Sequence, residues 1–349
     1  MNIHEKYMLR CIQLAKNGLG TTYPNPMVGS VIVHNDNIIG EGWHYKAGHP
    51  HAEVNAINSV AKKELLKDAT IYVSLEPCSH FGKTPPCADL IIEHQIKNVV
   101  IGSTDPNQKV AGRGIEKLKA AGCDIRRPIL EAECRELNKR FFTFHTKKRP
   151  YILLKWAETR DGFMAPLASK RNQRSPVWIT NKRSRQKVHK IRTEEQAILV
   201  GTQTVLDDDP SLTARDWHGE SPLRIIIDKE LKIPEHSAVF NSNAKTIVFT
   251  EKPKPSSQLQ NFRKIDFSQN VPRQIISDLY DLNIQSVLIE GGGKTLQSFI
   301  DIDLWDEAIV FKGNSEFKEG IKAAEFTGTL ISEEKSGSDL IERYKNNNL

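Results

Sequence analysis

The chain has 349 residues, a charged fraction of 26% and a formal net charge of +6. That length suits two domains of roughly 150 residues each, and a mild positive charge spread along the chain fits phosphorylated small molecules without requiring nucleic acid. No stretch approaches the ~18 consecutive apolar residues of a membrane span, and Asn2-Ile3-His4-Glu5-Lys6 after Met1 lacks the apolar core of a signal peptide.

In chain order, Glu5 to Lys16 carries apolar residues at helical spacing. Val28 to Val33 reads as a strand, His34 to Asn37 as a polar turn, and Ile38 to Gly42 as the returning strand. A helix follows from Ala52 to Ala61, then a strand from Thr70 to Leu75. Pro85-Pro86 opens a helix running through Ala88 to His94, because proline is tolerated in a first turn. Val99 to Gly102 is a strand, and Gly114 to Ala121 a helix closing at Gly122. Such alternation predicts an α/β layered domain.

The most informative feature lies inside this half. His51-Ala52-Glu53 is followed by Pro77-Cys78 and by Cys87. One imidazole and two thiolates fill three corners of a zinc tetrahedron and leave the fourth for water, the catalytic rather than the closed structural pattern. Glu53 stands close to His51 without being needed as a ligand, which suits the proton-shuttling carboxylate of a zinc deaminase. Each element alone is weak; their order, with proline before the first cysteine, is specific. The interval from Cys78 to Cys87 is longer than the Cys-x-x-Cys of many deaminases and carries His80 and Lys83, which suits an anionic substrate group. Of the five cysteines, Cys11, Cys123 and Cys134 remain as free thiols, as expected in a reducing cytoplasm.

Thr146-Lys147-Lys148-Arg149-Pro150 reads as a linker, dividing the chain into domains 1–146 and 147–349. Strands are expected at Tyr151 to Leu154, Ala197 to Gly201, Leu223 to Asp228, Thr246 to Thr250 and Ser286 to Glu290, with a loop from Glu251 to Ser257. The polar tail from Ser336 is expected to fray. Glu290 runs into Gly291-Gly292-Gly293 at the head of a helix, a way to bring backbone amides to a phosphate. It matches neither a dinucleotide fingerprint nor a Walker loop. Asp207 to Arg215 reads either as an acidic turn or as a pocket edge, with Arg192 and Arg215 as candidates for a substrate phosphate and Asp208 for a cofactor hydroxyl.

Taken together these segments resemble the bifunctional riboflavin-biosynthesis deaminase/reductases over nearly the whole chain. Tyr23-Pro24-Asn25-Pro26-Met27-Val28-Gly29, the His51 run, the Pro77-to-Cys87 loop and Asp105-Pro106-Asn107 carry the first half. Lys155 to Ala157, Asp161-Gly162, Trp178-Ile179-Thr180, Asp209-Pro210-Ser211-Leu212-Thr213-Ala214-Arg215 and Glu290 to Gly293 carry the second. The longer cysteine spacing is that family's own. The resemblance implies a cytidine-deaminase-like three-layer α/β/α domain followed by a dihydrofolate-reductase-like α/β domain, a homo-oligomer (dimer or tetramer), Zn2+ and NADPH. It implies deamination of a phosphoribosylated diaminopyrimidine, with Asn25, His44, His80, Lys83 and Asn107 as substrate contacts, then reduction of the ribosyl chain to ribityl. In the second half it implies cofactor contacts at Ala157, Trp178, Thr204, Asp208, Gly292 and Gly293, and substrate contacts at Ser175, Arg192, Leu212, Arg215 and Glu290. Arg174-Ser175-Pro176-Val177 departs from the Gly-x-Ser-x usual before the tryptophan.

Three other readings compete. The second half could bind without reducing. A base-editing nucleic-acid enzyme would want a basic patch with stacking aromatics, and aromatics are only 7%. A structural zinc module would need a fourth protein ligand, for which His49 and His80 are the candidates.

Overall fold

The computed structural model describes residues 2–81, 85–107, 111–171 and 173–348. The chain forms two compact units, Met1–Lys148 and Arg149–Leu349.

In the first unit α1 (Ile3–Ala15) starts at a reciprocal capping box, Asn2 accepting from the Glu5 amide and Glu5 from the Asn2 amide. β1 (Gly29–His34) and β2 (Asn37–Trp43) form a hairpin whose turn residues Asn35 and Asp36 both take positive φ, the handedness a tight hairpin prefers. Then come α2 (Ala52–Ser59), β3 (Thr70–Leu75), α3 (Cys87–Glu93), β4 (Asn98–Ser103), α4 (Arg113–Ala120), β5 (Asp124–Arg126), α5 (Glu131–Leu137) and α6 (Lys139–Lys147). The sheet order is β2-β1-β3-β4-β5, with β1 antiparallel to its neighbours and β3, β4 and β5 parallel. Strand alternation sends Ile71, Val73 and Val99 to one face, where Ile57, Ile91 and Leu118 of α2, α3 and α4 cover them. Val31, Tyr72 and Val100 point to the other face, under Met8 and Ile12 of α1 and Leu137 of α5. Burying each such side chain stabilises the unit by about 1.5–3 kcal/mol. The result is a three-layer α/β/α unit.

The second unit contains β6 (Tyr151–Glu158), β7 (Phe163–Ala165), α7 (Lys182–Glu194), β8 (Ala197–Gly201), α8 (Thr202–Asp208), β9 (Leu223–Ile227), β10 (Thr246–Thr250), β11 (Gln260–Lys264), α9 (Val271–Asp281), β12 (Ser286–Gly291), α10 (Gly293–Ile300), β13 (Glu307–Lys312), β14 (Ile321–Lys322), β15 (Gly328–Ser336) and β16 (Asp339–Asn346). The large sheet runs β11-β10-β9-β8-β12-β6-β13-β16-β15; β7 and β14 pair separately. It is parallel from β11 to β13 and antiparallel at β16 and β15. Both faces are apolar, one around Trp156, Phe249 and Phe299, the other around Ile198, Ile226 and Phe311. Ligands of such sheets bind beyond the carboxyl ends of the strands, which is where Ala157 and Glu290 stand.

The tail corrects an expectation. Residues from Asp339 do not fray: β16 lies between β13 and β15. Ile341 is buried, Glu342 accepts from the Tyr344 hydroxyl and pairs with Lys312, and Asn346 donates to the Trp305 carbonyl. Partners distant in sequence satisfy the polar groups that made this segment look unstructured.

Candidate active sites

The first site is built where β3 ends and two helices begin. His51 is the N-cap residue of α2, Glu53 sits in that helix's first turn, Cys78 follows β3, and Cys87 opens α3. The His51 Nδ1, Cys78 Sγ and Cys87 Sγ atoms all lie within 4.8 Å of one another. Nδ1 is 3.6 Å from Cys78 Sγ and 3.4 Å from Cys87 Sγ. A tetrahedral zinc, with bonds of about 2.3 Å to sulfur and 2.0–2.1 Å to nitrogen, sets N···S edges of roughly 3.6 Å. The triad therefore fits zinc in both donor type and spacing. The Cys87 amide donates to Cys78 Sγ at 3.3 Å, so a helix N-terminus supports the thiolate. Hydrogen bonding from the Cys87 thiol, helped by His51, holds Cys78 down at about 4, while the same contact and burial push the Cys87 thiol up. Among the described residues this is the one His/Cys/Asp/Glu cluster with metal-ligand spacing.

Glu53 is 3% exposed. Burial, then the neighbouring Cys78 charge, raises its carboxyl to about 7, and it reaches hydrogen-bond contact with Cys87. A dication in the triad would pull the other way. A carboxyl near neutrality can both take and return a proton.

Around this triad, the His44 ring meets the His51 ring edge to face at 5.3 Å. His44 Nδ1 lies 3.1 Å from the Pro50 carbonyl and Nε2 lies 3.1 Å from Asn25 Nδ2. A carbonyl can only accept, so Nδ1 carries the proton and Nε2 accepts from Asn25. Burial lowers the His44 pKa and keeps the ring neutral. Asp105 is raised to about 6 by burial, and feels the charges of Glu76, His80 and Cys78. Its Oδ1 accepts from the Asn107 amide at 2.7 Å. His80 is exposed. Lys83 lies outside the described residues.

In the second unit the structure joins two of the expected contacts to each other. Arg192 donates to both Glu290 oxygens, at 2.7 and 2.8 Å, and to the Thr213 carbonyl at 3.1 Å. Lys155 Nζ lies 3.6 Å from the same carboxylate. Burial alone would raise Glu290, but Arg192 and then Lys155 outweigh it and hold it at about 2. Burial lowers the Lys155 pKa despite Glu290. Arg215 is exposed and donates to Ser211 Oγ. Leu212 has φ 53 and is 2% exposed, its side chain packed in the core. A cavity of about 500 Å³ is lined by Lys182, Arg183, Gln186 and Asp216.

Gly291 has φ +125, which a side-chain-bearing residue rarely adopts. A Cβ added at Gly292 would lie 3.2 Å from Thr204 Oγ1, so Thr204 borders the glycine turn at the head of α10. Asp208 accepts from Arg171 at 2.7 Å, and Arg171 also donates to the carbonyl of Ser175. Ala157 lies on β6 opposite Phe311. Trp178 is 57% exposed beneath the Arg185 guanidinium, 4.2 Å from its ring centre. Arg171 carries no signal in the sequence, and Lys155, though within a resembling segment, is given no role there; each acquires its partner, Asp208 or Glu290, from far along the chain.

Comparison with known proteins adds to this geometry. The family model for the cytidine and deoxycytidylate deaminase zinc-binding region matches residues 1–103, and that for the RibD C-terminal domain matches residues 150–313. The riboflavin biosynthesis protein RibD of Aquifex aeolicus is 41% identical, with 98% of each chain covered. This chain belongs to the RibD family. The RibD of Escherichia coli K12 is 35% identical over 88% of this chain and 86% of its own. The crystal structure of a deaminase/reductase from Thermotoga maritima superposes with a TM-score of 0.89 at 40% identity, covering 99% of each chain. Acinetobacter baumannii RibD gives 0.88 at 32% identity, covering 98% of each. The family accounts for both units: a cytidine-deaminase-like first half and a RibD reductase second half. A second half that only binds is not favoured.

Proposed function

We propose that the chain hydrolytically deaminates 2,5-diamino-6-(5-phosphoribosylamino)pyrimidin-4(3H)-one and then reduces the ribosyl chain of the resulting 5-amino-6-(5-phosphoribosylamino)uracil with NADPH. The observation that carries this reading is the His51–Cys78–Cys87 triad with Glu53 buried against it. Zinc, held there by His51, Cys78 and Cys87, would lower the pKa of a bound water to about 7 and so supply the nucleophile at neutral pH. Glu53 takes one proton of the attacking water and passes it to the ring nitrogen as the C–O bond forms; it then takes the proton of the newly attached hydroxyl and delivers it to the amine as the C–N bond breaks, so that water and aminopyrimidine become oxopyrimidine and ammonia. Asn25, His44, His80, Lys83 and Asn107 hold the substrate; the fixed Asn25–His44 pair gives that pocket one defined arrangement of donors.

In the second unit Lys155, Glu290 and Arg192 stand at the carboxyl edge of the parallel strands. NADPH, when bound, would supply hydride to the ribosyl C1′. Lys155, whose proton is loosened by burial, is the group able to supply the accompanying proton to the ring oxygen as the C1′–O bond opens. Arg215 and Ser175 hold the substrate, with Leu212 contributing its backbone. Ala157, Trp178, Thr204, Asp208, Gly292 and Gly293 hold the cofactor, a glycine turn at a helix start being suited to a phosphate. The same reading makes the protein a cytoplasmic homo-oligomer working on small molecules; among the described residues no helix is long and apolar enough to cross a membrane.

One coupled assay tests this: the diaminopyrimidine is supplied with NADPH, and ammonia and NADPH are followed together. Ammonia release followed by NADPH loss is expected. Ammonia release without NADPH loss would refute the reductase assignment, and no ammonia from zinc-loaded protein would refute the deaminase assignment.

A further inference from the structure

One buried carboxylate next to the metal triad has no part in the chemistry above. Glu76 follows β3, two residues before Cys78, and is 4% exposed. Its Oε1 accepts from the amides of Gly114 at 3.0 Å and Ile115 at 3.3 Å, and its Oε2 from those of Gly112 at 3.0 Å and Asp105 at 3.3 Å. Gly114 and Ile115 are the second and third residues of α4, whose N-cap, Gly112, has no side chain to offer them. Glu76 thus does from a distant strand end what an N-cap aspartate does locally, and places its charge at the positive end of the helix.

The bond to Asp105 continues the chain of contacts, since Asp105 Oδ1 accepts from the Asn107 amide at 2.7 Å. A Cβ added at Gly114 would lie 2.0 Å from the Pro77 carbonyl oxygen, so the start of α4 is pressed against the residue immediately before Cys78. One carboxylate therefore ties together the strand end that carries a metal ligand, the turn that carries Asp105 and Asn107, and the first turn of α4.

We infer that Glu76 is a positioning residue for deamination: one of its amide bonds holds the Asp105–Asn107 turn and the other three hold the start of α4, fixing both to the strand end that carries Cys78, so that the substrate meets a preformed pocket. Glu76 touches neither substrate nor metal and acts only through these amides. The inference rests on the deaminase reading of the triad, which the zinc content and ammonia release of the wild-type protein test separately.

Glu76→Gln in the full-length protein tests it. The amide nitrogen that replaces one oxygen cannot accept, so whichever way it turns, two backbone donors lose their acceptor. The deaminase KM should rise about tenfold or more through misplacement of the turn. Its kcat should stay within about threefold, because the reacting groups are untouched. Zinc content and the reductase rate on the deaminated intermediate should be unchanged, and the amides of Asp105, Gly112, Gly114 and Ile115 should exchange faster with solvent. An unchanged KM overturns the inference. So does a fall in kcat with KM unmoved, which would place Glu76 in the chemistry. If E76Q loses zinc, Glu76→Asp decides, because it keeps the charge but withdraws the oxygens by one methylene. A raised KM with zinc retained in E76D supports positioning; a wild-type KM, or loss of zinc in this variant too, overturns it.

Discussion

Glu290→Gln tests whether the buried charge cluster of the second unit is held together as described. Glu290 carries two cations, Arg192 at 2.7 Å and Lys155 at 3.6 Å, and all three side chains are at most 12% exposed. Glutamine keeps the shape and removes the charge, leaving both cations buried without a counter-ion. Breaking such a buried pair costs about 3–5 kcal/mol. The carboxyl's drop from 4.5 to about 2 gives an independent figure of about 3 kcal/mol, in the same range. For a unit of this size 1 kcal/mol moves Tm by about 2–4 °C, so the loss should be roughly 6–20 °C. Tryptophan fluorescence is the suitable probe, since Trp156, Trp178, Trp217 and Trp305 all lie in the second unit and only Trp43 in the first.

The pH dependence follows from the sign of the shift. Glu290 is depressed in the folded state, so its contribution is fully present above 4.5 and is lost as pH falls toward about 2. The gap between wild type and E290Q should therefore be flat near neutrality and close only in acid. Combining E290Q with Arg192→Met should recover part of the loss, since one stranded cation is removed. A Tm change below about 2 °C for E290Q, or a gap that varies around neutral pH, would refute the account, because a solvated pair contributes only about 0–1 kcal/mol.

Three further outcomes are expected. Glu53→Gln should retain zinc and lose deamination by about 10²–10⁴-fold, as removal of a general acid–base does; zinc analysis with an ammonia assay checks it, and sustained turnover excludes the role. Cys87→Ser should lose zinc and lower the melting temperature of the first unit, because metal affinity contributes to folding; full zinc content would show that Cys87 is not a ligand. Arg215→Ala should raise the reductase KM while ammonia release stays at the wild-type rate, and parallel loss of both activities would mean a shared site or a folding defect.

What could be read from the residues, and what could not, divides along sequence distance. The metal triad was legible because its geometry is nearly local: a histidine opening one helix, a cysteine after a strand, and a proline-led second cysteine opening the next helix. The parallel strands were legible because fully buried strands are apolar throughout, as in Ala197–Gly201 and Ser286–Gly291. β16 was not, because Glu342 and Asn346 are polar in sequence and find their long-range partners, Lys312 and the Asp303–Trp305 segment, only in the folded sheet. Arg192 and Glu290 are each expected as substrate contacts, but their pairing across 98 positions is not. That pairing changes the chemistry. An arginine already bound to a carboxylate presents less charge to a phosphate, so Arg215, exposed and bonded only to a hydroxyl among its described partners, is the stronger candidate for a phosphate. Glu76 makes the same point: its acceptors are filled from 29 to 39 residues downstream, and nothing in Leu75-Glu76-Pro77-Cys78 distinguishes an anchor from a solvated side chain. Ligand sets survive as spacing in the sequence, whereas the bonds that hold them in place exist only once the strands are paired.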